Sequence, residues 1–174
     1  FNAMRNKLEV FLRDHEVTIC YPMALNKTIY LTNEYGELVS TKKSPKHARP
    51  LEIFIELYKI KNYLLNPNLH FKIIMLDIDE LRIKKEKTWR SRKGFERTNQ
   101  VPRKINHIYE INGPDNFKDI LLEYNLKEIF TSKDFAKSTH ITIKKATVAL
   151  NVLTYLNVVE RIGKEKNSYL YKIV

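Results

Sequence analysis

Residues 130–155, FTSKDFAKSTHITIKKATVALNVLTY, decide how the chain is read. Thr131-Ser132-Lys133-Asp134 is a helix start, with a Thr131 hydroxyl placed to accept from the backbone N–H near Asp134. Asp134 also suits the positive end of the helix dipole. Phe135 and Ala136 then point inward, and the small Ala136 permits close approach of a neighbouring helix. Ser138-Thr139-His140-Ile141 is a tight turn. Many such turns carry glycine where His140 stands, because that residue takes a left-handed conformation, which His tolerates better than most non-glycine types. The pattern therefore gives His140 a structural role. Thr142 caps a second helix that turns Ala146, Ala149, Leu150 and Leu153 toward a core. Ile143, Lys144, Lys145, Thr147, Val148 and Asn151 face mostly outward, with the polar and basic ones in the N-terminal turns.

Working outward, Asn116 to Tyr124 reads as a preceding helix that buries Phe117, Ile120 and Leu121. Val158–Ile162 and Ser168–Ile173 read as a β-hairpin, with Gly163 to Asn167 as a basic tip. Across its full length, 115–174 resembles the winged helix-turn-helix superfamily. The resemblance implies that the second helix enters the major groove of double-stranded DNA, with the hairpin wing along the phosphate backbone or minor groove. The DNA-facing residues it implies are Ser132, Lys133 and Thr142 at the helix starts, and Lys164, Lys166 and Asn167 on the wing. Lys144 and Lys145 reach phosphates or guanine edges, and Thr147 and Asn151 reach bases. Winged helices also serve as protein-interaction modules, and Ile143 and Val148 would be the docking patch in that alternative.

Charge supports a nucleic-acid partner. The 174-residue chain carries a formal net charge of +11. Segment 82–104 holds ten Lys and Arg against Glu86 and Glu96. With no apolar period, it reads as a long basic loop or flexible hairpin, and Arg90, Arg92 and Lys93 are its expected phosphate contacts. An apolar fraction of 43% and a charged fraction of 29% belong to an ordinary globular protein. The longest apolar run, Ile73 to Leu76, is too short to span a membrane. The charged residues Arg5, Lys7, Glu9 and Arg13 do not form a signal peptide. The single Cys20 excludes an internal disulfide framework; it reads as a buried inert thiol, and a cytoplasmic protein is the expectation.

Residues 4–14 read as a helix with Met4, Leu8, Phe11 and Leu12 at helical spacing, followed by a buried strand 17–21 that stops at Pro22. A second strand 27–32 turns at 33–36 into a third at 37–40, and 42–50 is a basic loop. Pro50 opens a helix over 51–65 with a wide apolar face, which also offers a surface for a homodimer. A central strand covers 71–78. The expected organisation is an α/β (α+β) domain at 1–81, a basic linker at 82–114 and the winged helix-turn-helix domain at 115–174.

Little in the first part points to catalysis. Histidines 15, 47, 70, 107 and 140 lack metal-ligand spacing, and the four glycines form no phosphate loop. Asp77 and Asp79 fall on one face at a strand end, with Glu80 beside them; such carboxylates hold Mg²⁺ in some proteins and are simply exposed acids in many more. The helix Met4–Asp14 running into Val17–Pro22 resembles the segment after the catalytic hairpin in restriction-endonuclease-like phosphodiesterases, the PD-(D/E)XK superfamily. Together with Lys42 to Lys46, the helix at 51–65 and Phe130 to Tyr171, the chain looks like bacterial proteins that join such a domain to a C-terminal winged helix. That resemblance implies a partial restriction-endonuclease-like mixed sheet, with the catalytic hairpin upstream of Phe1. The chain is then expected to be a fragment with no catalytic residue and no cofactor of its own, and the longer protein an Mg-dependent DNA nuclease.

Overall fold

The computed structural model describes residues 1–86 and 94–174. After a 3-10 turn at Asn2–Met4 come α1 (Arg5–Phe11), β1 (Val17–Thr32) and β2 (Leu38–Lys43). A 3-10 turn Pro50–Ile53, α2 (Phe54–Leu57) and a second 3-10 stretch Tyr58–Tyr63 lead to β3 (Leu69–Lys84) and β4 (Phe95–Ile111). The chain continues through α3 (Pro114–Leu122), β5 (Phe130–Thr131), α4 (Ser132–Thr139), α5 (Ile143–Tyr155), β6 (Val159–Glu165) and β7 (Ser168–Ile173). The fold class is α+β. No helix of the described residues is long and apolar enough to cross a membrane.

The first sheet has the order β2-β1-β3-β4 and is mixed. β1 and β2 are antiparallel, with Thr28 opposite Lys43 and Leu31 opposite Ser40. Contacts between β1 and β3 advance together along the chain, from Val17–Asn68 to Asn26–Asp77 and Thr32–Arg82, so these strands run parallel. Contacts between β3 and β4 run oppositely, from Lys72–Glu110 through Asn106–Asp77 to Lys85–Gly94, as in a long antiparallel hairpin.

Several expectations for the first part are corrected. β1 passes straight through Pro22 and joins the two strands expected at 17–21 and 27–32. β2 pairs only with Thr28–Thr32, so beside Pro22 that edge carries no ladder from β2 and the missing N–H costs little. Cys20 is exposed, because Ile19 takes the buried phase of the strand. The expected helix at 51–65 is mostly 3-10, with one α-helical turn and non-helical dihedrals at Ile60. Leu51, Phe54, Leu57 and Ile60 are all buried and recur every third residue, which is the 3-10 period. These side chains belong to the chain's own core, so they do not form the free face expected for a homodimer.

Of the two forms expected for segment 82–104, its described residues take the hairpin and not the long loop: β3 reaches Lys84, and its antiparallel neighbour β4 starts at Phe95. β4 is an edge strand with nearly every residue exposed, which is why no apolar alternation marks it, and Pro102 is tolerated there.

Two compact units emerge. One comprises Phe1–Tyr21, Arg49–Ile73 and Tyr109–Val174; the other comprises Pro22–Ala48 and Ile74–Ile108. The expected boundary at 81/82 thus falls inside β3. Residues 115–174 share their core with the start of the chain and with 49–73, since α5 packs on the Pro50–Tyr63 segment as well as on α4.

Within that first unit, α4 begins with a capping box. Thr131 Oγ1 accepts from the Asp134 N–H at 3.2 Å, and Asp134 Oδ2 accepts from the Thr131 N–H at 2.9 Å. The Thr131 hydroxyl and N–H also hold the Asp134 carboxyl below its ordinary pKa. The helix stops at His140, which is left-handed at φ 55°. Thr142 accepts from the Lys145 N–H and opens α5, whose Ala146, Ala149, Leu150, Val152 and Leu153 are fully buried. A three-stranded sheet of order β5-β7-β6 closes the segment, with the Phe130 ring stacked between Phe135 and Tyr171.

Candidate nucleic-acid interface

α5 turns about 100° per residue, so its surface divides into distinct stripes. Ile143, Lys144, Thr147 and Asn151 are exposed and share one stripe. Val148 is half-buried at its margin. Lys145, one residue on from Lys144, leaves the helix toward the Pro50–Tyr63 segment, where its Nζ donates to Glu52 Oε1 at 2.5 Å. The two lysines expected to act together are therefore separated: Lys144 faces solvent, and Lys145 is engaged within the chain.

The polar groups on the stripe have definite roles. The Thr147 hydroxyl donates to the Ile143 carbonyl at 3.0 Å, which leaves its oxygen free to accept. The Asn151 Oδ1 accepts from Lys61 Nζ at 3.3 Å, so its amide N–H₂ is the half left to donate outward. Lys61 itself lies over the Tyr155 ring at 5.0 Å and the Tyr58 ring at 5.8 Å. Spacing within 115–174 carries no sign of Lys61, whose partner is 90 residues away. Of the other expected contacts on this segment, Lys133 and Thr142 are exposed and Ser132 is half-buried.

The hairpin β6–β7 stands beside this stripe. Glu165 pairs with Ser168, leaving Lys166 and Asn167 as a two-residue turn in which Lys166 has φ 52°. The tip is thus shorter than the five-residue stretch expected, and Lys164 lies in the strand. Lys164, Lys166 and Asn167 are all exposed. The pairing register shifts between Arg161 and Gly163. Such a shift changes the alternation, and it brings Arg161 and Lys164 onto one side, where both sit over the Tyr169 ring, at 4.1 and 5.8 Å. Spacing alone does not bring Arg161 and Lys164 together over Tyr169, because residues three apart in a regular strand face opposite ways. Between helix and hairpin lies a cleft of about 770 Å³ whose lining includes Thr147, Asn151, Thr154, Glu160, Arg161 and Tyr169.

The basic segment behaves differently. Arg90, Arg92 and Lys93 lie outside the described residues. Three of its other cations fold back onto carboxylates of β3. The Glu80 side chain is fully buried and accepts from Lys27 at 2.8 Å, Arg82 Nε at 2.6 Å and Gln100 at 3.0 Å, with Arg97 at 3.2 Å. Burial pushes this carboxyl up, but the hydrogen bonds from Lys27, Arg82 and Gln100 outweigh it and hold its pKa at about 2. Asp79 is paired with Arg103 at 2.6 Å, and Asp77 accepts from Asn26 and Asn106.

Asp77, Asp79 and Glu80 lie along β3 and not at its end, and each accepts from nitrogen donors within the chain, Glu80 on both oxygens and Asp77 and Asp79 on one each. Among the described residues no three His, Cys, Asp or Glu side chains converge in a metal-holding group.

The DUF8091 family model, described as a domain of unknown function, matches residues 1–112. An uncharacterized protein of Treponema pallidum (strain Nichols) is 25% identical over 135 residues, covering 76% of this chain and 52% of that protein. The chain thus spans about half the length of the curated relative it matches. No solved structure matches it.

Proposed function

We propose that this chain, which belongs to the DUF8091 family through residues 1–112, binds double-stranded DNA through a winged helix-turn-helix formed by 114–173. The observation that carries the reading is the exposed stripe Lys144–Thr147–Asn151 on the helix that follows a left-handed turn, with Thr147 and Asn151 lining a cleft whose other wall is the hairpin that carries Arg161, Lys164 and Lys166. The order helix, strand, two helices and hairpin supports the fold name. In this reading α5 lies in the major groove. Lys144 takes a phosphate or a guanine edge, Thr147 accepts and Asn151 donates toward base edges. Arg161, Lys164 and Lys166 follow the phosphate backbone beside it.

Fluorescence anisotropy with a mixed-sequence duplex at about 50 mM and about 200 mM salt tests this, because each phosphate contact contributes roughly −0.9 to the logarithmic salt slope. The expected result is micromolar or tighter binding at low salt that weakens steeply at high salt. Lys144→Ala is expected to flatten the slope by about 1. Salt-independent binding, or none, overturns the proposal.

A further inference from the structure

The Pro50–Tyr63 segment belongs to the matched family region, yet it reaches two side chains of α5. Lys61 donates to the Asn151 side-chain oxygen Oδ1, and Glu52 accepts from the Lys145 ammonium. Glu52 and Lys145 are both only partly exposed, at 27% and 38% of their side-chain surface. Lys145 sits in the first turn of α5, one residue from the exposed Lys144 and within one turn of Thr147. It is thus within a side chain's length of the surface proposed to meet DNA.

We infer that Glu52 is an internal competitor for the phosphate backbone: it occupies Lys145, and so sets how many cations α5 presents to a duplex. The inference rests on the DNA-binding reading above. The physics is a choice of anionic partner for one ammonium. A carboxylate already in place at hydrogen-bond distance keeps Lys145 turned away from a phosphate and keeps the local field near α5 one charge less positive. Removing the carboxylate's charge while keeping its shape frees the long, flexible lysine stem to swing toward the groove. Glu52 acts through Lys145 and is a positioning residue, not a contact residue.

The test is a cycle on the full chain: wild type, Glu52→Gln, Lys145→Gln and the double variant, titrated with the same duplex at about 50 and about 200 mM salt, with Lys144→Gln as reference. Glu52→Gln is expected to bind roughly threefold tighter or more at the lower salt and to steepen the slope by about 1, the signature of one added phosphate contact. The double variant is expected to lose that gain. Lys145→Gln alone is expected to sit near wild type, while Lys144→Gln binds more weakly. Unchanged or weaker binding by Glu52→Gln, in a chain whose wild type binds, overturns the inference and leaves the DNA reading standing. If Glu52→Gln does not fold, the Lys145→Gln against Lys144→Gln comparison decides, and equal losses overturn it. A wild type that does not bind duplex at the lower salt removes the DNA reading and this inference together.

Discussion

His140 shows how much a single backbone conformation decides. It holds φ 55° and ψ 35°, while the Ile141 N–H reaches back to the Ala136 carbonyl at 3.1 Å and the His140 N–H to that of Lys137. This is the helix-ending pattern in which a left-handed residue lets two orphan carbonyls find donors, and the buried Ile141 supplies the usual apolar contact. A non-glycine residue in that conformation costs about 1–2 kcal/mol, offset in part by the chain entropy that glycine would add to the unfolded state. His140→Gly is therefore expected to be neutral or stabilising by up to about 1 kcal/mol in urea denaturation. His140→Val, branched at Cβ, is expected to destabilise. A valine variant as stable as wild type would show that the turn is not left-handed. This residue and the Thr131–Asp134 cap are legible in the sequence because each rests on groups within a few positions of one another. Lys144 and Lys145 look equivalent in the sequence because both are basic, although helix geometry sends neighbours to different faces.

Among the elements, β3 carries the largest departure from what its sequence suggested. Leu69, Phe71, Ile73 and Met75 are buried in alternation, and then the phase slips so that Ile78, Asp79 and Glu80 are all buried. A fully buried carboxylate is tolerated only when its charge is met, and here Lys27 of β1, Arg82 of β3, and Arg97 and Gln100 of β4 meet it. The sign of the pH effect follows. The folded pKa of Glu80, about 2, lies below its ordinary 4.5. The contribution is complete above 4.5 and is lost as the pH falls from there toward 2. Thermal melts of wild type across that window are expected to fall more steeply than those of Glu80→Gln, which is less stable at neutral pH because it leaves the half-buried Lys27 and Arg82 without their counter-charge. Parallel pH profiles for the two proteins would sink this assignment. The same pairing shows that the basic charge of 82–104 is not all free for a partner: three of its arginines, at 82, 97 and 103, pair with carboxylates of the sheet.

For the molecule as a whole, residues 114–173 are not a self-contained appendage. Phe54 meets Phe117 with ring centroids 5.2 Å apart, and Lys61 and Glu52 reach α5 from the same family segment. The excised segment 113–174 would expose the surfaces of α3 and α5 that this segment covers. It is expected to melt well below the full chain, or to aggregate, and adding back nothing but salt would not restore it. An excised segment with the melting temperature of the full chain would show that this packing contributes little. The boundary expected at 114/115 marks a change in sequence pattern, whereas the core crosses it.

Taken alone, the sequence determined the capped helices, the left-handed turn, the apolar face of α5 and the existence of a hairpin after it. Each of these depends on hydrogen bonds or side-chain periods spanning a few residues, so spacing along the chain is the same thing as spacing in space. Only the tertiary structure decided that β1 runs through Pro22, that the 51–65 segment winds as 3-10, and that Glu80, Asp79 and Lys145 spend their charge inside the protein. The Asp79–Arg103, Glu80–Lys27 and Lys145–Glu52 pairings join residues 24, 53 and 93 positions apart, and no local pattern fixes which distant cation or carboxylate a charge will meet. The physical reason is that a buried charge is stable only beside its counter-charge, and the fold chooses that neighbour.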